Sequence, residues 1–440
     1  MKKAKTFTSK VMALMGAVIL LFTICAVPVS AADTTNGTTA TFDKYLVMKD
    51  KANVPNVTFK YTIETISNGA SEILVAETRD AAGAISTPRV YTTDWLTGVP
   101  TITPSISFAP GDKTYATAGK DDTVKLGSNE KYAKKELTLD FSAVTYPKPG
   151  IYRYKITEVN TTNDGVKNDE NAVRYCDVYV GQKAGSSAQD LEVQGYCIHK
   201  SANTIPSKDN TDWNAYGDLK DNGYQNYYET YNLKVQKKIT GNHGWKNKYF
   251  EFTLKIDGVL PNSRYTLVLD NATSSDNTAD SCVKSITTTE GGNTVTTYYL
   301  EADANGDLEY TFYLSNKGGN EEYIEIYGLT PSTKYFIEED CEDYDPSWKI
   351  TLSNGTVKDS ADLSAAFEND YTMGNFDNTV LFTNHRDVSV MTGINTERLP
   401  IAIVIVVVAV VLVVFVLVQR KRGTKDSNDT SDTKPSENGE

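Results

Sequence analysis

The chain has 440 residues and a formal net charge of −13 at pH 7, with a sequence pI near 4.9. This acidic balance argues against nucleic-acid binding, which depends on lysine and arginine at phosphates. Its 27 tyrosines and 14 phenylalanines, with frequent threonine, favour strands over helices. The three histidines, His199, His243 and His385, are scattered. We therefore expect an all-β protein with no histidine-based metal site and no cofactor.

The first segment, residues 1–32, has the parts of a secretory signal peptide: a basic start, an apolar centre and small residues at its end. We expect its removal during export, which places the following residues in a compartment that permits disulfides. Four cysteines remain, two in each half of the exported part. The candidate disulfides are Cys176–Cys197 and Cys282–Cys341, and the alternative for both is buried thiols.

Short runs of alternating apolar and polar residues follow the signal peptide, separated by turn residues at intervals of roughly eight to twelve positions. The runs include "VTFKYTI", "LTLDFSAVTY", "IYRYKITE", "YFEFTLKI" and "TKYFIEE". This spacing is typical of antiparallel β-sandwiches. Outside the two apolar segments near the chain ends, no sustained helical periodicity occurs.

A weak internal repeat divides the exported part into two units. The pattern Tyr-x-Ile-x-Glu ends at Glu158 and again at Glu339, and an aromatic strand with an asparagine closes each unit, "YQNYYETY" and then "LFTNHRD". We therefore predict two tandem β-sandwich domains, residues 33–230 and residues 231–386, with almost no linker between them.

Each predicted sandwich has a lysine on its first strand, a glutamate on a middle strand and an asparagine on its last strand. These trios are Lys44, Glu158 and Asn226, and then Lys237, Glu339 and Asn384. Alternation along the strands turns each lysine and glutamate toward apolar neighbours. Burial lowers the pKa of an amine and raises that of a carboxyl, so the lysine becomes a nucleophile and the acid can polarise the asparagine amide. The predicted chemistry is a Lys–Asn isopeptide bond, formed once per site.

A purely structural role is more common for any one of these residues, because a lysine can extend its amine to solvent and an asparagine can cap a turn. The repetition of the ordered trio argues for the chemistry. The near-register alternatives are Lys49, Lys51, Lys238, Glu338 and Asn232, and a slip of one residue would turn each side chain to the wrong face of its strand. Because no nucleotide-binding or serine-nucleophile motif is present, we expect no enzyme activity beyond this single turnover.

The apolar run at residues 399–418 is uncharged and long enough to cross a bilayer as a helix. The basic sequence "QRKR" follows at once, and the positive-inside rule places residues 419–440 in the cytoplasm. The two sandwiches would then face outward, at the cell surface.

The stretches "ATFDKYLVMKDKANVPNVTF", "LTLDFSAVTYPKPGIYRYKITE", "YETYNLKVQKKITGN" and "VMTGI" resemble streptococcal-type pilin isopeptide-linkage domains. Such domains build the major pilins of Gram-positive, sortase-assembled pili. The resemblance covers residues 40–420 approximately and implies Ig-like β-sandwiches, each with a self-formed Lys–Asn bond assisted by a glutamate. Carried to this chain, the bonds are Lys44–Asn226 and Lys237–Asn384. The implied partners are other pilin subunits, a sortase and peptidoglycan.

The resemblance also implies a sortase motif in residues 387–398, with cleavage between threonine and glycine. The matching residues are Val390, Met391, Thr392 and Gly393, with methionine where such pilins often have proline. Two lysines, Lys220 and Lys148, are candidate acceptors for polymerisation. The expected function is a pilus shaft subunit or a wall-displayed stalk, and the alternative is an adhesin that binds a host or environmental ligand through its sandwich loops.

Overall fold

The computed structural model of the chain divides it into two compact units, Met1–Arg386 and Asp387–Glu440. It describes residues 38–65, 73–74, 78–79, 85–87, 91–92, 98–146, 150–183, 190–200, 221, 223–290, 293–359, 371–389 and 399–423. Several sequence predictions lie outside these residues: the signal peptide at 1–32, the sortase motif Val390 to Gly393, and the acceptor lysines Lys148 and Lys220.

The first sandwich consists of two packed sheets. In chain order its strands are β1 (Thr39–Lys49), β2 (Val57–Thr65), β3 (Ile73–Leu74), β4 (Thr78–Arg79), β5 (Ile85–Thr87), β6 (Tyr91–Thr92), β7 (Thr101–Ile102), β8 (Ser105–Phe108), β9 (Thr114–Tyr115), β10 (Glu130–Asp140), β11 (Gly150–Val159), β12 (Val166–Lys167), β13 (Val173–Gln182), β14 (Leu191–His199) and β15 (Gly223–Tyr228). One sheet has the order β12-β15-β1-β10-β7, with β9 beside β10. The other has the order β14-β13-β11-β2-β8, with β3 and β6 attached, and β4 and β5 form a separate pair.

The second sandwich follows directly. Its strands are β16 (Tyr231–Thr240), β17 (Phe250–Asp257), β18 (Arg264–Asp270), β19 (Val283–Glu290), β20 (Asn293–Glu301), β21 (Leu308–Leu314), β22 (Tyr323–Leu329), β23 (Lys334–Glu339), β24 (Asp345–Leu352), β25 (Val357–Asp359), β26 (Tyr371–Thr372) and β27 (Asn378–His385), with 3-10 turns at Ser275–Thr278 and Lys317–Gly319. The sheets have the orders β19-β20-β18-β22-β16-β27-β24-β25 and β21-β17-β23-β26. The predicted all-β sandwich architecture is therefore confirmed.

Strand alternation builds the two cores as the sequence predicts. On β11, Tyr154 and Ile156 are fully buried, and on β16, Leu233 and Val235 are fully buried in the same way. Because side chains two positions apart share a face of a strand, the apolar members of each strand meet between the two sheets. The two sets form separate hydrophobic clusters, one in each sandwich.

The first and last strands of each sandwich lie side by side and run parallel. In the first sandwich β1 lies between β15 and β10, and in the second β16 lies between β27 and β22. The register places Leu46 opposite Asn226 and Ile239 opposite Asn384. This pairing brings the ends of each domain sequence together in its own core.

Strand β1 is also buried on the face that points away from the sandwich core. Tyr45 and Val47 are each 1% exposed and pack with Val124 and Tyr132 in a small additional cluster. The segment before β10 therefore covers the outer side of this strand. Alternation of apolar and polar residues predicts one buried face for β1. The burial of its other face results from the packing of the segment before β10.

Hydrogen bonds join the two sandwiches at the turn after β1. Thr266 donates its hydroxyl to the carbonyl of Lys51 at 2.6 Å, and Asn53 Nδ2 donates to Thr266 Oγ1 at 2.9 Å. The backbone N–H of Ser332 donates to Asp164 Oδ2 at 3.0 Å. These contacts hold one end of the first sandwich against the second.

The four cysteines of the sandwiches carry no disulfide in the structure, so neither candidate pair, Cys176–Cys197 or Cys282–Cys341, is joined there. Across β13 and β14, Cys176 faces Ile198 and Cys197 faces Asp177. Because neighbouring residues point to opposite faces, the two sulfur atoms lie on opposite sides of the sheet. In the second pair, one cysteine precedes β19 and the other follows β23 in the facing sheet.

The second unit contains one described helix, α1 (Leu399–Gly423). Its segment Ile403–Arg420 has a mean hydropathy of 3.1 and is long and apolar enough to cross a membrane. The helix begins at Leu399, the residue at which we expect the membrane segment to start.

Candidate functional site

The first candidate site lies in the core of the first sandwich. Lys44 comes from β1 and Asn226 from β15, on one sheet, while Glu158 comes from β11 on the facing sheet. The Nζ atom of Lys44 hydrogen-bonds to Glu158 Oε2 and to Asn226 Oδ1. Lys44 and Asn226 are fully buried and Glu158 is 2% exposed. The structure thus brings together three residues that span most of the domain sequence.

The second candidate site has the same arrangement. Lys237 lies on β16 and Asn384 on the neighbouring β27, and Glu339 reaches them from β23 in the facing sheet. Lys237 Nζ donates to Glu339 Oε1, and Asn384 Nδ2 donates to the same oxygen at 2.9 Å. The side chains of Lys237 and Glu339 are 0% and 3% exposed.

The strand register is identical at the two sites. On the parallel last strand, Tyr224 faces Lys44 and Phe382 faces Lys237. In both sandwiches the asparagine lies two residues beyond the residue that faces the lysine. Because alternate residues share a face, this offset directs lysine and asparagine into the same core, diagonally across the strand pair.

Aromatic rings enclose both amines. Lys44 Nζ lies 4.0 Å from the centroid of the Phe59 ring, and Lys237 Nζ lies 4.4 Å from that of Phe250. Burial among these rings lowers the pKa of each lysine from 10.5 to about 8, and the nearby glutamate opposes this only in part. Near neutral pH each amine therefore loses its proton far more readily than an exposed lysine.

The acid of the second site is also perturbed. Burial raises the pKa of Glu339, although Lys237 and Asn384 act in the opposite direction. Among the described residues, Glu339 Oε2 and Asn384 Oδ1 have no hydrogen-bond partner, although both atoms are buried. A proton on the carboxyl would turn Glu339 into a hydrogen-bond donor, because a protonated acid has an O–H group.

Tyr61 is a member of the first site that the sequence analysis missed. Its hydroxyl donates to Glu158 Oε2 at 2.9 Å, because β2 pairs with β11 in a register that places Tyr61 opposite Glu158. In the second sandwich the residue opposite Glu339 is Phe252, which has no hydroxyl. The alternation in "VTFKYTI" turns Tyr61 inward, but the partner strand cannot be identified from sequence spacing.

The near-register alternatives do not enter the cores. Lys49, Lys51 and Glu338 are exposed, and Lys51 Nζ donates instead to the hydroxyl of Tyr327 at 2.9 Å. Lys238 forms an ion pair with Glu321, with Nζ 3.4 Å from Oε1. The backbone N–H of Asn232 donates to Asp377 Oδ1 at 2.9 Å.

The lowered pKa of Lys44 leads to a pH prediction for Asn226→Ala, a variant in which the lysine must stay an amine. Because the folded state releases the lysine proton near pH 8 and the unfolded state near 10.5, the folded state binds fewer protons between these values. The free energy of unfolding should therefore rise with pH across this window, by about 3 kcal/mol in total. Urea titrations at several pH values measure this change in the free energy of unfolding.

The control for this prediction is the double variant Asn226→Ala, Lys44→Met. It removes the titrating amine and leaves a side chain of similar length in the core. Its stability should lack the rise between pH 8 and 10.5. Equal slopes for the two proteins would contradict the pKa assigned to Lys44.

The fold and the two buried trios define a class of protein, a tandem β-sandwich with a lysine, an acid and an asparagine in each core. Residues 96–214 match the family model described as "Spy0128-like isopeptide containing domain", and residues 231–371 match one described as "Domain of unknown function (DUF7601)". Over residues 96–214 the chain is thus similar to this isopeptide-domain family. The family resemblance given by the sequence is confirmed for this part of the chain.

The chain is also similar to a particular curated protein, the "Pilin" of Streptococcus pyogenes serotype M1. The two are 28% identical over 277 residues, which cover 61% of this chain and 66% of that pilin. The crystal structure of the major pilin from Streptococcus pyogenes aligns with a sequence identity of 22% and a TM-score of 0.46. The structure of the major pilin T3.2 from Streptococcus pyogenes serotype GAS13637 aligns with a sequence identity of 17% and a TM-score of 0.44. Both alignments cover 80% of this chain and 100% of the other.

Proposed function

We propose that the chain is a structural subunit of a cell-surface pilus, or a wall-displayed stalk, whose two sandwiches each close an internal Lys–Asn isopeptide bond. The bonds join Lys44 to Asn226 and Lys237 to Asn384. Glu158 and Glu339 assist the two reactions. The observation that carries the proposal is the same buried trio in both sandwiches, with lysine and asparagine in the same register on parallel first and last strands.

The proposed reaction conserves atoms and charge. The lysine ammonium gives a proton to the glutamate carboxylate, and the neutral amine attacks the amide carbon of asparagine. The Nζ–Cγ bond forms, and the glutamate returns its proton to Nδ2. As the Cγ–Nδ2 bond breaks, the second proton that the attacking nitrogen must lose passes through the glutamate to the departing ammonia. NH4+ leaves, the glutamate is again a carboxylate, and the products are one secondary amide and one NH4+. Proximity in the folded core replaces an external catalyst.

Surface display and assembly belong to the same proposal. The signal peptide would export the chain, and helix α1 would hold it in the membrane until a sortase cuts between Thr392 and Gly393. The new carboxyl end would then be joined to Lys220 or Lys148 of another subunit, or to peptidoglycan. The similarity to a streptococcal pilin and the apolar helix support this part.

Intact-mass measurement of the full chain tests the central claim. Each bond removes one ammonia, so the protein should be lighter than its sequence mass by two ammonia molecules, after allowance for signal-peptide removal. Asn226→Ala and Asn384→Ala should each abolish one of the two losses. Glu338→Gln, beside Glu339 but exposed, is the control and should keep both. A wild-type chain at its full, uncross-linked mass would refute the proposal.

Assembly has a separate test. In the native cell wall, a ladder of high-mass species that survives boiling in detergent is expected, with Thr392 as the new C-terminus in its peptides. A monomer that keeps residues 423–440 and binds a ligand saturably would favour the adhesin alternative. The bonds inside the sandwiches and the links between subunits can therefore be judged independently.

A further inference from the structure

The hairpin of strands β19 and β20 extends beyond the rest of its sheet as a two-stranded ribbon. Strand β18 pairs with β20 only from Tyr298 to Glu301, and residues 284–289 and 294–297 of the ribbon are exposed. We propose that the free edge of β19 is a self-association site, at which a second copy of this chain adds its own β19 in the antiparallel direction. This contact goes beyond the proposed function, because it needs neither the internal bonds nor a sortase.

The backbone along this edge has no partner among the described residues. β19 is the terminal strand of its sheet and pairs there with β20 alone. The N–H of Glu301 donates to the carbonyl of Cys282, so even-numbered positions along β19 bond to β20 and odd-numbered positions point outward. Ser285, Thr287 and Thr289 therefore offer their N–H and C=O groups to a further strand.

The edge strand β21, in the other sheet of the same sandwich, shows how such an edge can be closed. The backbone N–H of Thr311 donates to Asp280 Oδ2 at 2.9 Å, and that of Tyr313 donates to Asn277 Oδ1 at 2.6 Å. Side chains from outside the sheet thus occupy outward donors of β21. No such side chain covers the outward donors of β19 in the part of the chain that the structure describes.

The sequence of β19 also lacks the features that protect edge strands. Its eight residue pairs with β20 run without a bulge, and the strand contains no proline. Its only lysine, Lys284, lies at the base of the ribbon, where Nζ donates to the carbonyl of Ser281 at 2.8 Å. The next five residues are uncharged, and four of them are β-branched, a composition that favours strand pairing.

A twofold axis at Thr287 makes this edge complementary to itself. In that register Thr287 faces Thr287 of the second copy and Ser285 faces Thr289 of the second copy, and each such pair exchanges two backbone hydrogen bonds. Lys284 faces the position of Glu290 of the second copy, so residues of opposite charge stand at facing register positions. The uncharged centre of the ribbon also lets two chains of net charge −13 approach each other.

Pairing adds contacts on both faces of the ribbon. On one face Ile286 and Val295 are 43% and 48% exposed, and the register places Ile286 opposite Thr288 of the second copy and diagonal to its Ile286. On the other face Thr287 and Thr296 already hydrogen-bond through their Oγ1 atoms at 3.2 Å, and pairing extends this row across both copies. A hairpin that is marginal alone thus becomes part of a four-stranded sheet.

Cysteine trapping in the full-length chain, kept in mild detergent, tests the contact and its register. Chains with Ser285→Cys and chains with Thr289→Cys are mixed, treated with a mild oxidant and separated on a non-reducing gel. The register places these two positions opposite each other, with Cα atoms about 5.5 Å apart, which a disulfide can span. In either variant alone, the two introduced cysteines lie about 13 Å apart along the strands, which is too far.

The mixture should therefore form disulfide-linked dimers about tenfold faster than either variant alone, because the contact raises the effective concentration of the facing thiols. Wild-type chain, treated in the same way, gives the background from the native thiols. A mixture that cross-links no faster than the single variants would refute a second copy as the occupant of this edge.

Two proline substitutions, each introduced into both cysteine chains, distinguish the two edges of the ribbon. Thr287→Pro removes an outward N–H of β19 and leaves the ladder to β20 intact, so cross-linking of the mixture should fall to the level of the single variants. Thr296→Pro is the matched control, because Thr296 faces Thr287 across the ribbon and its N–H points to the opposite edge. It should leave the cross-linking unchanged, and equal effects of the two prolines would refute the assignment to β19.

Intact mass of the same samples reports the internal bonds separately. Loss of two ammonia molecules without cross-linking of the mixture would refute only the self-association of β19. Cross-linking of the mixture in chains of full, uncross-linked sequence mass would support the self-association and refute the proposed internal bonds.

Discussion

Replacing one acid with its amide, Glu158→Gln or Glu339→Gln, is expected to lower the thermal midpoint of the affected sandwich by about 10–20 °C. The proposed bond in the first sandwich joins residues 182 positions apart. By the loop-entropy relation for covalent cross-links, closing a loop of this size stabilises the folded state by about 5 kcal/mol, and each kcal/mol corresponds to about 2–4 °C in a domain of this size. Calorimetry of wild type and variants measures the shift.

The control is again Glu338→Gln, which changes an exposed glutamate beside the buried one. It should leave the midpoint within about 1–2 °C, because exposed substitutions of this kind change stability by about 0.5 kcal/mol or less. Intact mass of the same samples links the midpoint to the bond. Two outcomes for Glu158→Gln or Glu339→Gln would contradict the expected contribution of the cross-link. One is a variant that still shows the loss of ammonia from that sandwich, and the other is a variant that lacks the bond without any fall in its thermal midpoint.

Asp177→Ala is expected to destabilise the first sandwich by about 3–5 kcal/mol, the cost of removing one partner of a buried ion pair. Arg153 donates to both oxygens of Asp177, at 2.5 and 2.7 Å, and His199 Nε2 lies 3.1 Å from Oδ2. All three are at most 1% exposed. Although burial raises it, hydrogen bonds from Arg153 and His199 hold the pKa of Asp177 below its ordinary value. The midpoint of urea unfolding gives the measurement.

The same sheet offers a matched exposed pair. Lys155 Nζ lies 2.7 Å from Glu64 Oε1, and the two side chains are 35% and 57% exposed. Lys155→Ala should therefore cost about 1 kcal/mol at most, because solvent screens the pair. If the two variants lost equal stability, burial would not be the reason for the strength of the Asp177 interaction.

The sequence predicted the members of the trios because strand alternation is a local property. Glu158 follows Tyr154 and Ile156 at intervals of two, and Lys237 follows Val235 in the same way, so their inward direction could be deduced without knowing any partner. The internal repeat then connected residues far apart in the chain. The all-β sandwich followed from the same alternation and the spacing of turns.

Features that depend on strand pairing could not be predicted in this way. The contact of Tyr61 with Glu158 needs the register of β2 against β11, and the separation of Cys176 from Cys197 needs that of β13 against β14. Arg153 lies on the outer face of β11, which strand alternation alone leaves open to solvent, yet it is 1% exposed. Burial of an outer face depends on what packs over the sheet, which no pattern within the strand contains.

The parallel pairing of first and last strands determines the route of a mechanical load along the chain. A pull on the two ends of the first sandwich enters at the start of β1 and leaves at the end of β15, so it would slide one strand along the other. If the proposed bonds form, the load passes directly from Lys44 to Asn226 and bypasses the 182-residue separation between them. It then crosses the short junction to Lys237 and leaves through Asn384. The sandwiches would keep their length under a pull, and only the junction segments could straighten.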